Sequence, residues 1–312
     1  MPAALPLRHL ICIDDLDRAG LEALLDRADT LLPRALGGSP GGEQPLAGKT
    51  VVNLFFEPST RTRSSFELAA RRLGATVLNF DMASSSTRKG ETLTDTLFTL
   101  EAMGAEIFVI RHASDGVVAQ LAAVCAPRSH LVNAGDGRSQ HPTQGLLDML
   151  TIRQHKGRDF GALTVAIVGD LRHSRVARSD LRALRLLGAG TIRVAAPEVL
   201  LPEPEVTRGC VVCSSIEEAV RGADVVMTLR LQRERMEEGL VSSAESYFRD
   251  WGLTPERLAL ARPDAIVMHP GPMNRGVEIA DAVADGPQSV IRQQVSNGVA
   301  VRMAVLEALG SG

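Results

Sequence analysis

The feature that most constrains this chain is an alternation of short apolar segments with amphipathic ones, run through twice. Apolar segments at 51–56, 76–80, 107–110 and 130–133 alternate with helix-like stretches at 60–73, 93–103, 117–125 and 144–154. A break at 157–161, with glycine at each end, follows. The pattern then resumes with strands predicted at 163–168, 191–195, 211–213, 225–229 and 265–268, and with helices at 176–187, 216–221 and 289–309. These strands are mainly apolar and do not alternate strictly, the signature of parallel strands covered on both faces. The expected fold class is therefore α/β: two doubly wound parallel-sheet domains, 1–150 and 151–288, with a closing helix in 289–312 returning to the first. Ligands of such sheets collect at the carboxyl ends of the strands, so the residues just after each strand matter most.

At the amino end, the spacing of Leu16, Leu21, Leu24, Leu25, Ala28, Leu31 and Leu32 predicts a helix capped by Asp14 or Asp15. The stretch 33–48, rich in glycine and proline, reads as a surface connection.

Composition narrows the function classes. A balance of 45% hydrophobic to 23% charged residues is that of a soluble globular protein. The net charge of −3 argues against a general nucleic-acid binder, which carries a basic excess. Residues 1–10 hold no long apolar run, and no segment reaches the ~18 residues of a membrane span. The four cysteines are scattered. Cys210 and Cys213 have C-x-x-C spacing but no second pair to complete a zinc site, and they sit in an apolar run that reads as a buried strand. A cytosolic location is expected, with no metal site.

The densest chemistry follows the strand at 51–56. In Glu57-Pro58-Ser59-Thr60-Arg61-Thr62-Arg63, proline ends the strand and Ser59 or Thr60 can cap the next helix. Free backbone N–H groups, hydroxyls and Arg61 then surround one helix N-terminus, an arrangement suited to phosphate. Arg111 ends the strand at 107–110, where its fork can hold a phosphate. His141 lies in the loop after Gly135-Asp136-Gly137 and could donate to an oxygen gaining charge, with Gln144 opening the next helix. Gly169-Asp170-Leu171-Arg172-His173-Ser174 lacks the further glycines of a dinucleotide site, and Arg175 beside it suits a carboxylate.

Together these segments resemble the aspartate and ornithine carbamoyltransferases. Phe55 to Arg63 looks like the carbamoyl-phosphate signature of that family, and others follow in family order. They are Ser85-Ser86-Thr87-Arg88-Lys89-Gly90-Glu91-Thr92, Arg111-His112, His141-Pro142-Thr143-Gln144, Gly169-Asp170 with Arg175, Arg230-Leu231-Gln232 and His269-Pro270-Gly271-Pro272. The resemblance runs from about Phe55 to the last helix. It implies a homotrimer without cofactor, in which the loop bearing Ser85 and Lys89 is lent to a neighbouring subunit's site. It leaves open whether regulatory chains or a dihydroorotase join the trimer.

The residue roles follow by the same resemblance. Ser59, Thr60, Arg61, Arg111 and the neighbour's Ser85 and Lys89 would hold the phosphate. Thr62, Arg111 and His141 would polarise the carbamoyl oxygen, and Gln144 with the Gly271 and Pro272 carbonyls would grip the carbamoyl amide. Arg175 and Arg230, with Gln232 and Lys89, would take the acceptor. Glu57, Arg175 and Arg235 would bridge the domains on closure.

For the acceptor, an arginine-lined site suits the two carboxylates of aspartate and repels the cationic side chain of ornithine. The Arg230-x-Gln232 pattern is that of aspartate enzymes, and the Ser-Met-Gly and His-Cys-Leu-Pro segments of ornithine enzymes are missing. The expected reaction yields N-carbamoyl-L-aspartate and phosphate, an early step toward UMP. A non-catalytic homologue would be expected to have lost phosphate arginines or His141, and all are present.

Overall fold

The structure, a computed structural model, describes residues 7–38, 43–80, 91–232 and 243–311. The chain divides into two compact units, one formed by Met1–Leu147 and Ser296–Gly312 and the other by Asp148–Val295. The divisions thus fall slightly before position 150 and several residues after 288.

The first unit opens with helix α1 (Arg18–Ala35), which buries Leu21, Leu24, Leu25, Ala28 and Leu31 on one face. Its cap is Asp17, whose side chain accepts the Gly20 N–H at 2.6 Å. Asp15 is engaged elsewhere, accepting from the Ile11 and Cys12 N–H groups, so neither Asp14 nor Asp15 caps the helix. The helix also runs through Pro33. In the segment beyond it, Leu46 is fully buried, so that stretch is not wholly a surface connection.

Strands β1 (Thr50–Phe55), β2 (Thr76–Phe80), β3 (Ile107–His112) and β4 (His130–Asp136) alternate with helices α2 (Thr60–Arg72), α3 (Leu93–Ala102) and α4 (Val117–Val124). They form one parallel sheet in the order β2-β1-β3-β4. Leu10 extends it, its N–H donating to Leu131 O and its carbonyl accepting from Asn133 N, beside β4. Val52, Leu54, Phe108, Ile110 and Leu131 form a core with Leu97, Leu100, Val118 and Leu121 of α3 and α4. Helix α5 (Pro142–Lys156) follows and contains the first division.

The second unit is a parallel sheet in the order β7-β6-β5-β8-β9, built from β5 (Thr164–Val168), β6 (Thr191–Ala195), β7 (Val211–Cys213), β8 (Val225–Thr228) and β9 (Ile266–Met268). Helix α6 (Arg175–Leu186) lies between β5 and β6 in the chain, and α7 (Ile216–Val220) between β7 and β8. Helices α8 (Ala244–Trp251) and α9 (Pro255–Leu258) precede β9, and α10 (Asp281–Ala284) follows it. These last three were not anticipated. Val211 and Val212 are each 50% exposed, because β7 is an edge strand; only Cys213 of that strand is buried. Burial holds the Cys210 and Cys213 thiols above their ordinary range.

On α6, Asp180 is fully buried. Burial first, and the neighbouring Asp148 carboxylate second, keep its carboxyl well above the usual carboxylate range. The chain then pairs with the open edge of β9, where Val267 N donates to Gln288 O and Val290 N to Val267 O. That pairing delays the last helix, α11 (Ile291–Gly310), past the predicted start at 289.

From Ser296 onward α11 belongs to the first unit. There Arg27 grips Glu307 through two bonds of 2.8 and 2.6 Å, and the Arg302 guanidinium lies 5.0 Å over the Phe66 ring. The Arg27 pair is partly exposed and is worth under about 1 kcal/mol. Val301, Met303, Val305, Leu306 and Leu309 are at most 1% exposed. At roughly 1.5–3 kcal/mol for each such side chain, apolar burial holds this helix far more firmly than its ion pair does.

Candidate active site

In the first sheet the strand order reverses between β1 and β3, and the residues after those strands are the predicted phosphate ligands. Phe55 pairs with Arg111 across the two strand ends, and Phe56 N donates to Arg111 O at 2.8 Å. Pro58 ends the strand and Ser59 becomes the N-cap of α2, in extended backbone with no side-chain capping bond. The hydroxyl is therefore not committed to the helix, whose first N–H groups carry partial positive charge. Thr60 and Arg61 are exposed, while Thr62 is buried.

The Arg111 guanidinium is held from two sides. Nη2 sits 2.9 Å from Glu57 Oε2, and Nη1 donates to Ala134 O at 3.1 Å. On the adjacent strand, Asn133 Oδ1 accepts from Gly135 N and its amide donates to Asp136. Asp136 also accepts from Gly116 N, fixing the loop that leads to His141. Pro142 opens α5 with no N–H to lose, and the His141 carbonyl accepts from Gln144 N and Gly145 N. His141 and Gln144 are both buried. Ser59, Thr60, Arg61, Thr62, Arg111, His141 and Gln144 thus gather at the ends of three neighbouring strands.

The second sheet repeats the arrangement, with its reversal between β5 and β8. Gly169 follows β5 with φ of +123°, and a Cβ there would lie 2.8 Å from Leu229 O. Only glycine lets the two strand ends come this close. Ser174 caps α6 by accepting the Ala177 N–H, which places buried Arg175 in the first turn. Arg230 and Gln232 follow β8. Gln232 Nε2 donates to His173 O at 3.1 Å and its N–H to Asp170 Oδ2 at 3.2 Å, so this residue also braces the loop beneath Arg230.

Asp170, which the sequence placed in a family segment without assigning it a role, organises this end of the sheet. Fully buried, it accepts from His173 N, His173 Nδ1 and Gln232 N, tying the β5 and β8 loops together. Tyr247, the only tyrosine, is 3% exposed; burial, and then the charges of Asp170 and Glu278, push its phenol above the ordinary range. Beyond β9, the Gly271–Pro272 bond is cis and Gly271 has φ of +64°. Gly271 N donates to His269 Nδ1 at 2.8 Å. Arg175, Arg230, Gln232, Gly271 and Pro272 therefore follow three consecutive strands of the second sheet. Ser85, Lys89 and Arg235 lie outside the described residues.

Each of the two units is a parallel α/β sheet with arginines placed after the strands where its order reverses, the architecture of an α/β protein with candidate anion sites. A family model for the aspartate/ornithine carbamoyltransferase carbamoyl-P binding domain matches residues 8–154, and one for the Asp/Orn binding domain matches residues 162–309. The chain belongs to the aspartate/ornithine carbamoyltransferase family. It is 62% identical over 303 residues to an aspartate carbamoyltransferase catalytic subunit of Stenotrophomonas maltophilia, covering 97% of this chain and 96% of the relative. It is 63% identical over the same length to that of Xanthomonas campestris.

Among solved structures, aspartate transcarbamoylase from Trypanosoma cruzi with carbamoyl phosphate and aspartate matches with a TM-score of 0.87 and 32% identity, covering 99% of each chain. Ornithine carbamoyltransferase from Thermus thermophilus matches with a TM-score of 0.85 and 28% identity, covering 98% of this chain and 99% of that one.

Proposed function

We propose that this chain transfers the carbamoyl group of carbamoyl phosphate to L-aspartate, giving N-carbamoyl-L-aspartate and phosphate on the route to UMP. The observation that carries the reading is the placement of the anion-binding side chains at the reversal point of each sheet, where open α/β sheets bind ligands. The first unit takes carbamoyl phosphate: Ser59, Thr60 and Arg61 hold its phosphate at the N-terminus of α2, with Arg111 beside them. The second takes aspartate, whose two carboxylates match Arg175 and Arg230.

The neutral aspartate amine attacks the carbamoyl carbon. A C–N bond forms, charge moves onto the carbonyl oxygen, and Thr62, Arg111 and His141 stabilise that oxyanion. Collapse breaks the bond between carbon and the bridging oxygen, and phosphate leaves with the electron pair. The amine gives up its proton, for which the leaving phosphate is a candidate. Gln144 and the Gly271 and Pro272 carbonyls receive the carbamoyl amide. The assembly is a cytoplasmic homotrimer, in which Ser85 and Lys89 of one chain complete the site of the next.

The test is an assay of the purified chain with carbamoyl phosphate and either aspartate or ornithine, in the presence of a chelator. Carbamoyl aspartate forms at an undiminished rate. Ornithine turnover overturns the acceptor assignment, and activity that a chelator abolishes and zinc restores overturns the metal-free mechanism.

A further inference from the structure

The turn after β9 is pinned by a buried dyad to which no role has so far been given. His269 is 1% exposed and Glu278 2% exposed. Because Gly271 N–H donates to His269 Nδ1 at 2.8 Å, that nitrogen must present its lone pair, which places the ring proton on Nε2. Nε2 lies 3.1 Å from Glu278 Oε1, an acceptor, so the carboxylate and the Gly271 N–H demand the same tautomer. Glu278 Oε1 also accepts from Asn274 N, closing the segment 269–278 on itself.

The histidine backbone is fixed from another direction. Its N–H donates to Gln294 Oε1 at 3.0 Å, and Gln294 Nε2 donates to Asp148 Oδ1 at 2.7 Å. The Asp148 oxygen can accept from the amide nitrogen of Gln294 and not from its oxygen, so it sets which way that amide faces and leaves the oxygen for His269.

We infer that Glu278 is a positioning residue for carbamoyl transfer: by holding His269 as the Nε2–H tautomer, it fixes the Gly271 N–H and so the direction in which the Gly271 and Pro272 carbonyls face. The inference rests on the reading that those carbonyls receive the carbamoyl amide. The opposite tautomer would turn an N–H toward the Gly271 N–H, two donors face to face. The turn would then swing, and misplacing a binding group by about 1 Å costs on the order of a hundredfold in rate.

The experiment uses the full chain with ¹⁵N-labelled histidine. In the native protein the His269 ring nitrogens report an Nε2–H imidazole. Glu278→Leu mixes the tautomers and lowers kcat between about 10- and 100-fold, while Glu278→Gln, which keeps an acceptor oxygen, restores the native tautomer and most of the rate. His269→Asn, whose amide oxygen can still accept from Gly271 N, retains more activity than His269→Gln, which reaches only the Glu278 side. This pair decides the matter should Glu278→Leu fail to fold.

An unchanged tautomer in Glu278→Leu, or equal rates for the two His269 variants, overturns the inference. A changed tautomer with unchanged kcat overturns instead the assignment of Gly271 and Pro272 to the carbamoyl group, and with it the catalytic role of Glu278.

Discussion

Arg111 Nη2 and Glu57 Oε2 stand 2.9 Å apart, and Ala134 O takes a second N–H of the same guanidinium. Five donors in one plane allow Arg111 to keep both partners and still face a ligand. Lysine offers a single point charge on a flexible stem. Arg111→Lys is expected to lower kcat/KM for carbamoyl phosphate by roughly 2–4 kcal/mol of transition-state binding. The measurement is steady-state kinetics with melting as a control for folding. A variant with native kinetics removes Arg111 from the reaction.

Arg230→Ala should separate the two substrates. The aspartate KM rises and kcat/KM for aspartate falls by roughly 2–4 kcal/mol, while carbamoyl phosphate affinity changes little. Binding of carbamoyl phosphate alone, followed by calorimetry, gives the comparison. Equal loss for both ligands would mean that the substitution disturbs the fold instead.

Two groups, the half-buried His9 and the fully buried Asp180, act on stability from opposite ends of the pH scale. Burial, reinforced by Arg8 and His130, pulls His9 down to about 4, and its Nδ1 accepts the Leu131 N–H. Below its ordinary value near 6.5 the unfolded chain binds a proton that the folded chain refuses, so stability falls as pH drops from there toward 4. Asp180 has the reverse sign. Its raised folded value means that the folded chain keeps a proton which the unfolded chain releases, so stability is lost as pH climbs above the ordinary carboxylate range. His9→Asn should flatten the acid side of a Tm-against-pH curve. Asp180→Asn should raise Tm at pH 8, with a gain that shrinks toward pH 4. A parallel offset at every pH would show that neither group titrates as described.

The proposed sharing of a site between neighbouring chains is open to complementation. Arg61→Ala and Lys89→Ala chains, each inactive alone, are unfolded and refolded together. Every hybrid ring of three contains one junction between an intact Arg61 and an intact Lys89, because head-to-tail interfaces have a direction. Hybrids should regain about a third of native activity per trimer. Separated hybrids as inactive as their parents, despite proven exchange, mean that Lys89 does not serve a neighbour.

The clustering of the candidate residues was legible because β/α topology places functional residues directly after a strand. Ser59 to Thr62, Arg111, Arg175 and Arg230 could be found by locating strand ends, which apolar runs mark well. Features set by distant partners left no such trace. Nothing local says that Gln294 orients on Asp148, that Asp170 will bind the Gln232 N–H, or that Glu57 will sit on Arg111. Val211 and Val212 look buried because a strand's own sequence does not reveal its place in the sheet order, and β7 is at the edge. Among Asp14, Asp15 and Asp17, propensity alone cannot choose the cap; the choice went to Asp17 because Asp15 was drawn back to the Ile11 and Cys12 N–H groups.

The last turns of α11 also bear on how the protein is born. Residues from Ser296 onward supply Met303, Val305, Leu306 and Leu309 to the unit that begins at the amino end, while all of Asp148–Val295 is made in between. Domains generally fold in order of synthesis, yet here the first to emerge is the last to be completed. The ribosome finishes the inserted unit while the earlier one still lacks a helix, so the first unit is completed only after the second has been made. A nascent chain stalled before Ser296 carries an apolar surface waiting for its cover.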